Sequence, residues 1–247
     1  MSKCLKIICC YFGKRRHEFN TPKNIIEYVV ESINNETSIE NGIHTDVIYI
    51  NNDCGVLSDN NVLESYNDTK TKNGKIIIEK RQNINGSFGA YYDMALKYKD
   101  DYDYFFFCED DVIVYKENYL KDFVDFLNND DEVGFISLAP ISNSSHLPLH
   151  SGGGCGLTSK DIFFKVNSKE SIETFFVLNE NKFYRNSYEK LQSLEVEFTN
   201  VFCRNGYQLK NHPKFSPLCS NYTKHQGQRI HFSPLYEKLE FIYKVGI

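Results

Sequence analysis

The stretch that decides the reading of this chain is DDYDYFFFCEDDVIV, Asp100 to Val114. Four aromatic residues, Tyr104-Phe105-Phe106-Phe107, run through Cys108 into Glu109-Asp110-Asp111 and then into Val112-Ile113-Val114. A short apolar run bounded by polar residues predicts a strand buried on both faces. Three carboxylates at its end repel one another and resist desolvation. A hard divalent cation is the simplest chemistry to reconcile them, because Mg²⁺ and Mn²⁺ prefer oxygen ligands. In an extended backbone Glu109 and Asp111 point to one side and Asp110 to the other, so two carboxylates can address one metal while the third orders the turn. The same triplet would also serve as a solvated strand-to-loop turn, and the rest of the chain has to choose between the two.

Outward from that stretch, the first half alternates strands with helices. Leu5 to Phe12 reads as a strand, Thr21-Pro22 opens a helix, and Ile25, Ile26, Val29, Val30 and Ile33 give that helix one apolar stripe. His44 to Ile50 and Lys75 to Glu79 are further strands, and a helix runs from about Ala90 to Lys99. This order implies an α/β fold with a largely parallel sheet flanked by helices. In such sheets ligands gather at the carboxyl ends of the strands. That rule brings Tyr11 to Arg16, Asn52-Asp53, Arg81 to Gly86 and the acidic triplet to one edge.

The second half is less regular. Helices are expected at Glu117 to Leu127, Ser168 to Leu178 and Tyr184 to Arg204, and strands at Glu132 to Ala139 and Tyr207 to Leu209. Ser142 to His150 reads as a polar loop. Four glycines between Gly152 and Gly156 argue against a stable helix or a central strand there, and leave room for a sugar ring or a flexible turn.

Composition narrows the function classes. At 247 residues, 41% hydrophobic and 25% charged, the chain buries a substantial core. A formal charge of −5 argues against a general nucleic-acid binder. No run approaches a membrane span and no signal peptide is visible, and the eight cysteines lack a disulfide-scaffold spacing. The expectation is a reduced, cytoplasmic protein.

Together these pieces resemble the glycosyltransferase-A fold, most closely its large family of inverting, nucleotide-sugar-dependent transferases (family 2-like). The acidic triplet is similar to that family's Asp-x-Asp motif, with Glu109 in the first place. Asn83 to Ala90 resembles its Asn/Gly-rich segment, and Gly153-Gly154-Cys155-Gly156-Leu157 with the following Lys160 to Phe163 resembles its acceptor-side wall. Leu194-Glu195-Val196-Glu197-Phe198 resembles the segment carrying the general base, with Leu194-Glu195 in place of the usual Glu-Asp pair. Tyr222 to Gly227 resembles the segment whose His closes the metal site.

The resemblance implies one glycosyltransferase domain over 1–247, with a nucleotide-sugar half (1–115) and an acceptor half (116–247). It implies a donor, by default a UDP-sugar, and a hydroxyl acceptor on a glycan, glycoprotein or glycolipid. Glu195 would be the base, with Glu197 as the alternative; Glu109, Asp111 and His225 would hold Mn²⁺ or Mg²⁺. Tyr11, Arg15, Asp53, Arg81, Asn85, Glu109 and Asp110 would meet the nucleotide. Other readings compete with these roles. Arg81 and Asp53 would also make an ordinary surface ion pair. Nucleotidyl transfer would want a Gly-rich loop after the first strand, where only Gly13 stands. A zinc module from Cys203, His212, Cys219 and His225 lacks close ligand pairs. A catalytically inactive glycan-binding or scaffolding protein would keep the fold without needing the triplet.

Overall fold

The computed structural model describes residues 2–10, 25–53, 63–110, 112–114, 116–139, 141–144, 147–168, 171–172, 187–213, 221–222 and 229–230. The first strand, β1 (Lys3–Cys10), pairs in parallel with β2 (His44–Asp53) and with β4 (Tyr104–Glu109), and β2 pairs in parallel with β3 (Ile76–Gln82). Beyond β4 lie β8 (Gly156–Ser159), β5 (Val133–Ser137) and β9 (Gln208–Asn211), giving a seven-stranded sheet in the order β3-β2-β1-β4-β8-β5-β9. Only β8 opposes the common direction, pairing antiparallel with both β4 and β5. The expected α/β class, a mostly parallel central sheet flanked by helices, is the fold observed.

Strand alternation divides the core into two layers. Cys4, Ile8, Val47, Tyr49, Tyr104 and Phe106 pack with α1 (Ile25–Ser38) and with the helix α3 (Tyr119–Asn128) on one face. Leu5, Ile7, Cys9, Ile48, Phe105 and Phe107 pack on the other face, against α2 (Gly86–Lys97), α4 (Lys160–Val166) and α5 (Ser187–Arg204). The period of two that a strand imposes is what assigns each side chain to its layer.

Three expectations are corrected. The acidic strand stops at Glu109 rather than staying extended through the acids, because the Val112 N–H bonds back to the Glu109 carbonyl at 3.2 Å and closes a turn. The alternation that would align Glu109 with Asp111 therefore ends at Glu109, and Asp111 lies outside the described residues. The polar stretch 142–150 falls largely within a hairpin, β6 (Ile141–Ser144) with β7 (Leu147–Ser151), where backbone pairing overrides its polar composition. The glycine-rich stretch contributes a central strand after all. Gly156 opens β8, where a β-carbon would lie 2.2 Å from the Ile136 carbonyl oxygen and 2.6 Å from the Phe135 ring. Here glycine is required by the closeness of the neighbouring strand.

Among the described residues, one charged pair is fully buried between the sheet and α1. Lys6 on β1 and Glu36 on α1 form an ion pair with both side chains fully buried, and the Lys6 ammonium lies 5.3 Å from the Tyr119 ring centroid. A buried ion pair contributes little net stability, but removing one partner strands the other. Lys6→Met alone is therefore expected to cost about 3–5 kcal/mol, while Lys6→Met/Glu36→Leu recovers most of that loss. Urea unfolding of both variants checks this; equal losses in the two would show that the charge is not what matters.

Candidate active site at the carboxyl edge of the sheet

The carboxyl ends of β1 to β4 share one edge because all four strands are parallel. β8 returns in the opposite direction, so its beginning lies beside the end of β4, with Gly156 opposite Phe107. The glycine turn Gly152–Gly154 that precedes β8 is thereby set next to Glu109. A β-carbon on Gly153 would be 4.0 Å from the Glu109 carboxyl carbon.

Glu109 belongs to the strand positions that face α2 and α5. The Ser87 hydroxyl, at the start of α2, donates to Glu109 Oε1 at 2.9 Å. From α5, Glu195 reaches the same turn: the Gly153 N–H donates to Glu195 Oε1 at 2.7 Å. One helical turn farther along, Thr199 accepts the Ser151 N–H at 2.9 Å. This i, i+4 pair on α5 holds the main chain of 151–153 by two of its N–H groups. The two carboxylates expected to act on opposite halves of the chemistry, Glu109 and Glu195, thus meet at Gly153.

An aromatic cluster fixes α5 in that position. Phe198 lies 5.1 Å from the Phe107 ring, 5.4 Å from Phe88 and 5.5 Å from Tyr91, centroid to centroid. Gly154, with φ +62, lets the turn pass over this cluster; a β-carbon there would be 2.8 Å from Phe88 and 2.9 Å from Phe198. Beneath the turn, a hydrogen bond to Cys108 and burial push the Cys155 thiol well above its ordinary value, with Glu109 adding to the rise. Burial likewise holds the Tyr91 phenol well above its usual range, reinforced by Cys155 and Glu109. Both groups stay neutral at physiological pH.

The other expected site residues are placed as follows. Asp110 is buried in the turn after β4. Glu197 does not face the glycine turn: two residues from Glu195 on the helix, it pairs with Arg204 at 2.7 Å. Arg81 serves the architecture of the edge. It bonds Asp93 at 2.9 Å, Asn52 Oδ1 at 2.7 Å and the Ile84 carbonyl at 3.1 Å, with its side chain 11% exposed. Its described acidic partner is thus Asp93. Asp53 ends β2 opposite Gln82, and its side chain lies outside the described residues, as do Tyr11, Arg15, Asp111 and His225 entirely. His212, offered to a zinc module, is stacked on Phe123 at 5.3 Å, with its Nε2 3.2 Å from the Asp122 carbonyl oxygen.

Sequence reasoning placed Asn52 at this edge without a role and passed over the Ser87 hydroxyl and the Gly153 amide. Asn52 is fully buried and donates to Asn83 Oδ1 at 3.1 Å and to the Gly86 carbonyl at 3.3 Å, so it shapes the turn that leads into α2. A polar residue at a strand end and a Ser in a helix's first turn were the available signals.

No three His, Cys, Asp or Glu side chains among the described residues come together as a metal ligand set. That does not conflict with a Mg²⁺ or Mn²⁺ site of the nucleotide-binding kind, which uses one or two carboxylates together with substrate phosphates and waters. Glu109 is an oxygen donor of that type, only partly buried and held at the sheet edge by Ser87.

No protein-family profile and no curated protein matches the chain. Among solved structures, a 4-diphosphocytidyl-2C-methyl-D-erythritol synthase from Anaerococcus prevotii is 10% identical, with TM-score 0.44 over 85% of this chain and 86% of that one. A cytidylyltransferase from Leptospira borgpetersenii is 14% identical, with TM-score 0.45 over 86% of this chain and 76% of that one. A glycosyltransferase involved in the glycosylation of the major capsid of PBCV-1 is 15% identical, with TM-score 0.41 over 85% and 81%. Similarity at this level carries no argument about chemistry, which rests on the residues of this chain.

Asn85 gives the site a test that separates function from stability. It precedes α2 in the left-handed region, φ 58 and ψ 28, and both polar atoms of its amide are buried without a hydrogen-bond partner among the described residues. A buried polar group left unpaired costs about 1–3 kcal/mol, and glycine adopts this backbone conformation at no steric cost. Asn85→Gly should therefore melt no lower than the wild type in a thermal scan, whatever it does to ligand binding. A clear fall in melting temperature would mean that the amide contributes to the fold.

Proposed function

We propose that this protein is a metal-dependent glycosyltransferase that moves a sugar from a nucleoside-diphosphate donor, a UDP-sugar by default, to a hydroxyl acceptor with inversion. The observation that carries the reading is the meeting of Glu109 and Glu195 at Gly153 on the carboxyl edge of the sheet. Transfer from a nucleoside diphosphate needs a stabilised leaving group, a deprotonated acceptor and a site on the correct sheet edge. The first is assigned to Glu109 with Asp111 and His225, the second to Glu195.

In this mechanism the Glu195 carboxylate takes the proton from the acceptor hydroxyl as its oxygen attacks the anomeric carbon. The bond between that carbon and the diphosphate oxygen breaks, and the diphosphate leaves with the electron pair. Attack from the face opposite the leaving group inverts the anomeric centre. A bound Mg²⁺ or Mn²⁺, held by Glu109 and Asp111 with His225, would supply a Lewis acid for the departing phosphates. The nucleotide would be met by Tyr11, Arg15, Asp53, Asn85 and Asp110, with Arg81 shaping the β3–α2 turn. Gly153 carries no side chain between the two carboxylates, where the acceptor must enter. The acceptor would be a glycan, glycoprotein or glycolipid hydroxyl, and both halves of the chain would form a single transferase domain.

Glu195 has a structural contact to the Gly153 amide as well as the proposed chemical role, and the test has to part the two. Glu195→Gln keeps a carbonyl oxygen to accept that N–H but loses the base. The expected result is a normal melting temperature, unchanged Mn²⁺-dependent stabilisation by the nucleoside diphosphate, and donor turnover reduced roughly 10²–10⁴-fold. A screen of nucleotide sugars for metal-dependent hydrolysis identifies the donor, and Asp111→Ala should abolish its binding. Full turnover in Glu195→Gln would remove it as the base. Release of pyrophosphate from a nucleoside triphosphate and a sugar phosphate would assign the site to nucleotidyl transfer instead.

A further inference from the structure

We propose that Ser87 is a positioning residue for Glu109: its hydroxyl fixes the carboxylate in the orientation that receives the divalent cation. The inference rests on reading Glu109 as a cation-holding carboxylate, and adds a residue that neither the sequence pattern nor the acidic triplet suggests.

The geometry argues for this from three directions. Ser87 is 2% exposed, so its hydroxyl is committed to protein partners, and it donates to Glu109 Oε1 at 2.9 Å. It sits in the first turn of α2, a twelve-residue helix that has no acidic residue of its own in that turn. The residue at the N-cap, Asn85, makes no side-chain capping bond either. The partial positive charge of a helix start favours a carboxylate, and Glu109 brings one from β4. Lastly, Glu109 stands at the last position of β4, where the ladder to β1 ends at Cys9 opposite Glu109. The Ser87 hydroxyl ties this strand-end side chain to the first turn of α2.

The chemical consequence follows from how carboxylates bind cations. A ligating carboxylate that is itself hydrogen-bonded is held in one plane, and loss of such a partner typically weakens metal affinity 10–100-fold. Ser87 would not touch the cation or the substrate. Its effect would pass entirely through Glu109, and that gives the proposal a signature a general packing role does not have.

The test uses the full chain and Mn²⁺ as probe, alone and with UDP, with bound and free Mn²⁺ separated by electron paramagnetic resonance. Ser87→Ala is expected to weaken Mn²⁺ binding about 10–100-fold with a melting temperature near that of the wild type, and Ser87→Thr, which keeps the hydroxyl, to restore most of the affinity. In a Glu109→Gln background, adding Ser87→Ala should weaken binding no further. Wild-type affinity in Ser87→Ala would overturn the assignment of Ser87 while leaving the proposed function standing. So would an equal loss on adding Ser87→Ala to Glu109→Gln, whether or not the melting temperature falls, because the hydroxyl would then act on the fold. If the wild type takes up no Mn²⁺ with or without UDP, the role of Glu109 itself falls, and this inference with it.

Discussion

The arrangement depends on one strand running against the others. Had β8 joined the sheet in parallel, its first residue would lie at the amino end of β4, and the glycine turn would be carried to the opposite edge from Glu109. Antiparallel pairing, with Phe107 opposite Gly156, brings the two together. On its other side β8 lies so close to β5 that the Ile136 carbonyl and the Phe135 ring occupy the space a β-carbon on Gly156 would need.

The second constraint is the two-residue period of β4 itself. Tyr104 and Phe106 serve the layer under α1 and α3, while Phe105 and Phe107 serve the layer under α2 and α5. Glu109 continues the second series, so the same phase that buries Phe107 against Phe198 aims Glu109 at the helices carrying Ser87 and Glu195. Slipping the strand by one residue would exchange the layers and send Glu109 to the other face. Packing of the aromatic cluster and placement of the carboxylate are consequences of one register.

The sequence was most informative where burial and periodicity coincide. The β1-to-β4 half was legible because its strands are apolar runs and its helices carry a stripe, and the rule of carboxyl ends then located the edge. The hairpin β6–β7 was not, since Ser142-Asn143-Ser144 gives no hydrophobic alternation and its pairing is backbone-driven. The glycine stretch misled for a related reason. Glycine is a poor strand former on average, and only the third dimension reveals that Phe135 leaves no room for anything larger. Arg81, expected to meet the nucleotide, also ties the edge together through Asp93, Asn52 and the Ile84 carbonyl, which its residue type alone does not reveal. Glu195 was reachable only through family resemblance, because a Glu on an amphipathic helix has no local signature that sets it apart.

The chain handles buried charge in two ways, and the contrast bears on chemistry. Lys6 and Glu36 neutralise one another within the core and have no route to a ligand. Glu109 and Glu195 have like charges and approach the same glycine, an arrangement that raises the cost of keeping both ionised. The Ser87 hydroxyl donates to Glu109 and the Gly153 amide donates to Glu195. In the proposed transfer, a cation beside Glu109 and a proton arriving at Glu195 would be the two charges the site has to manage.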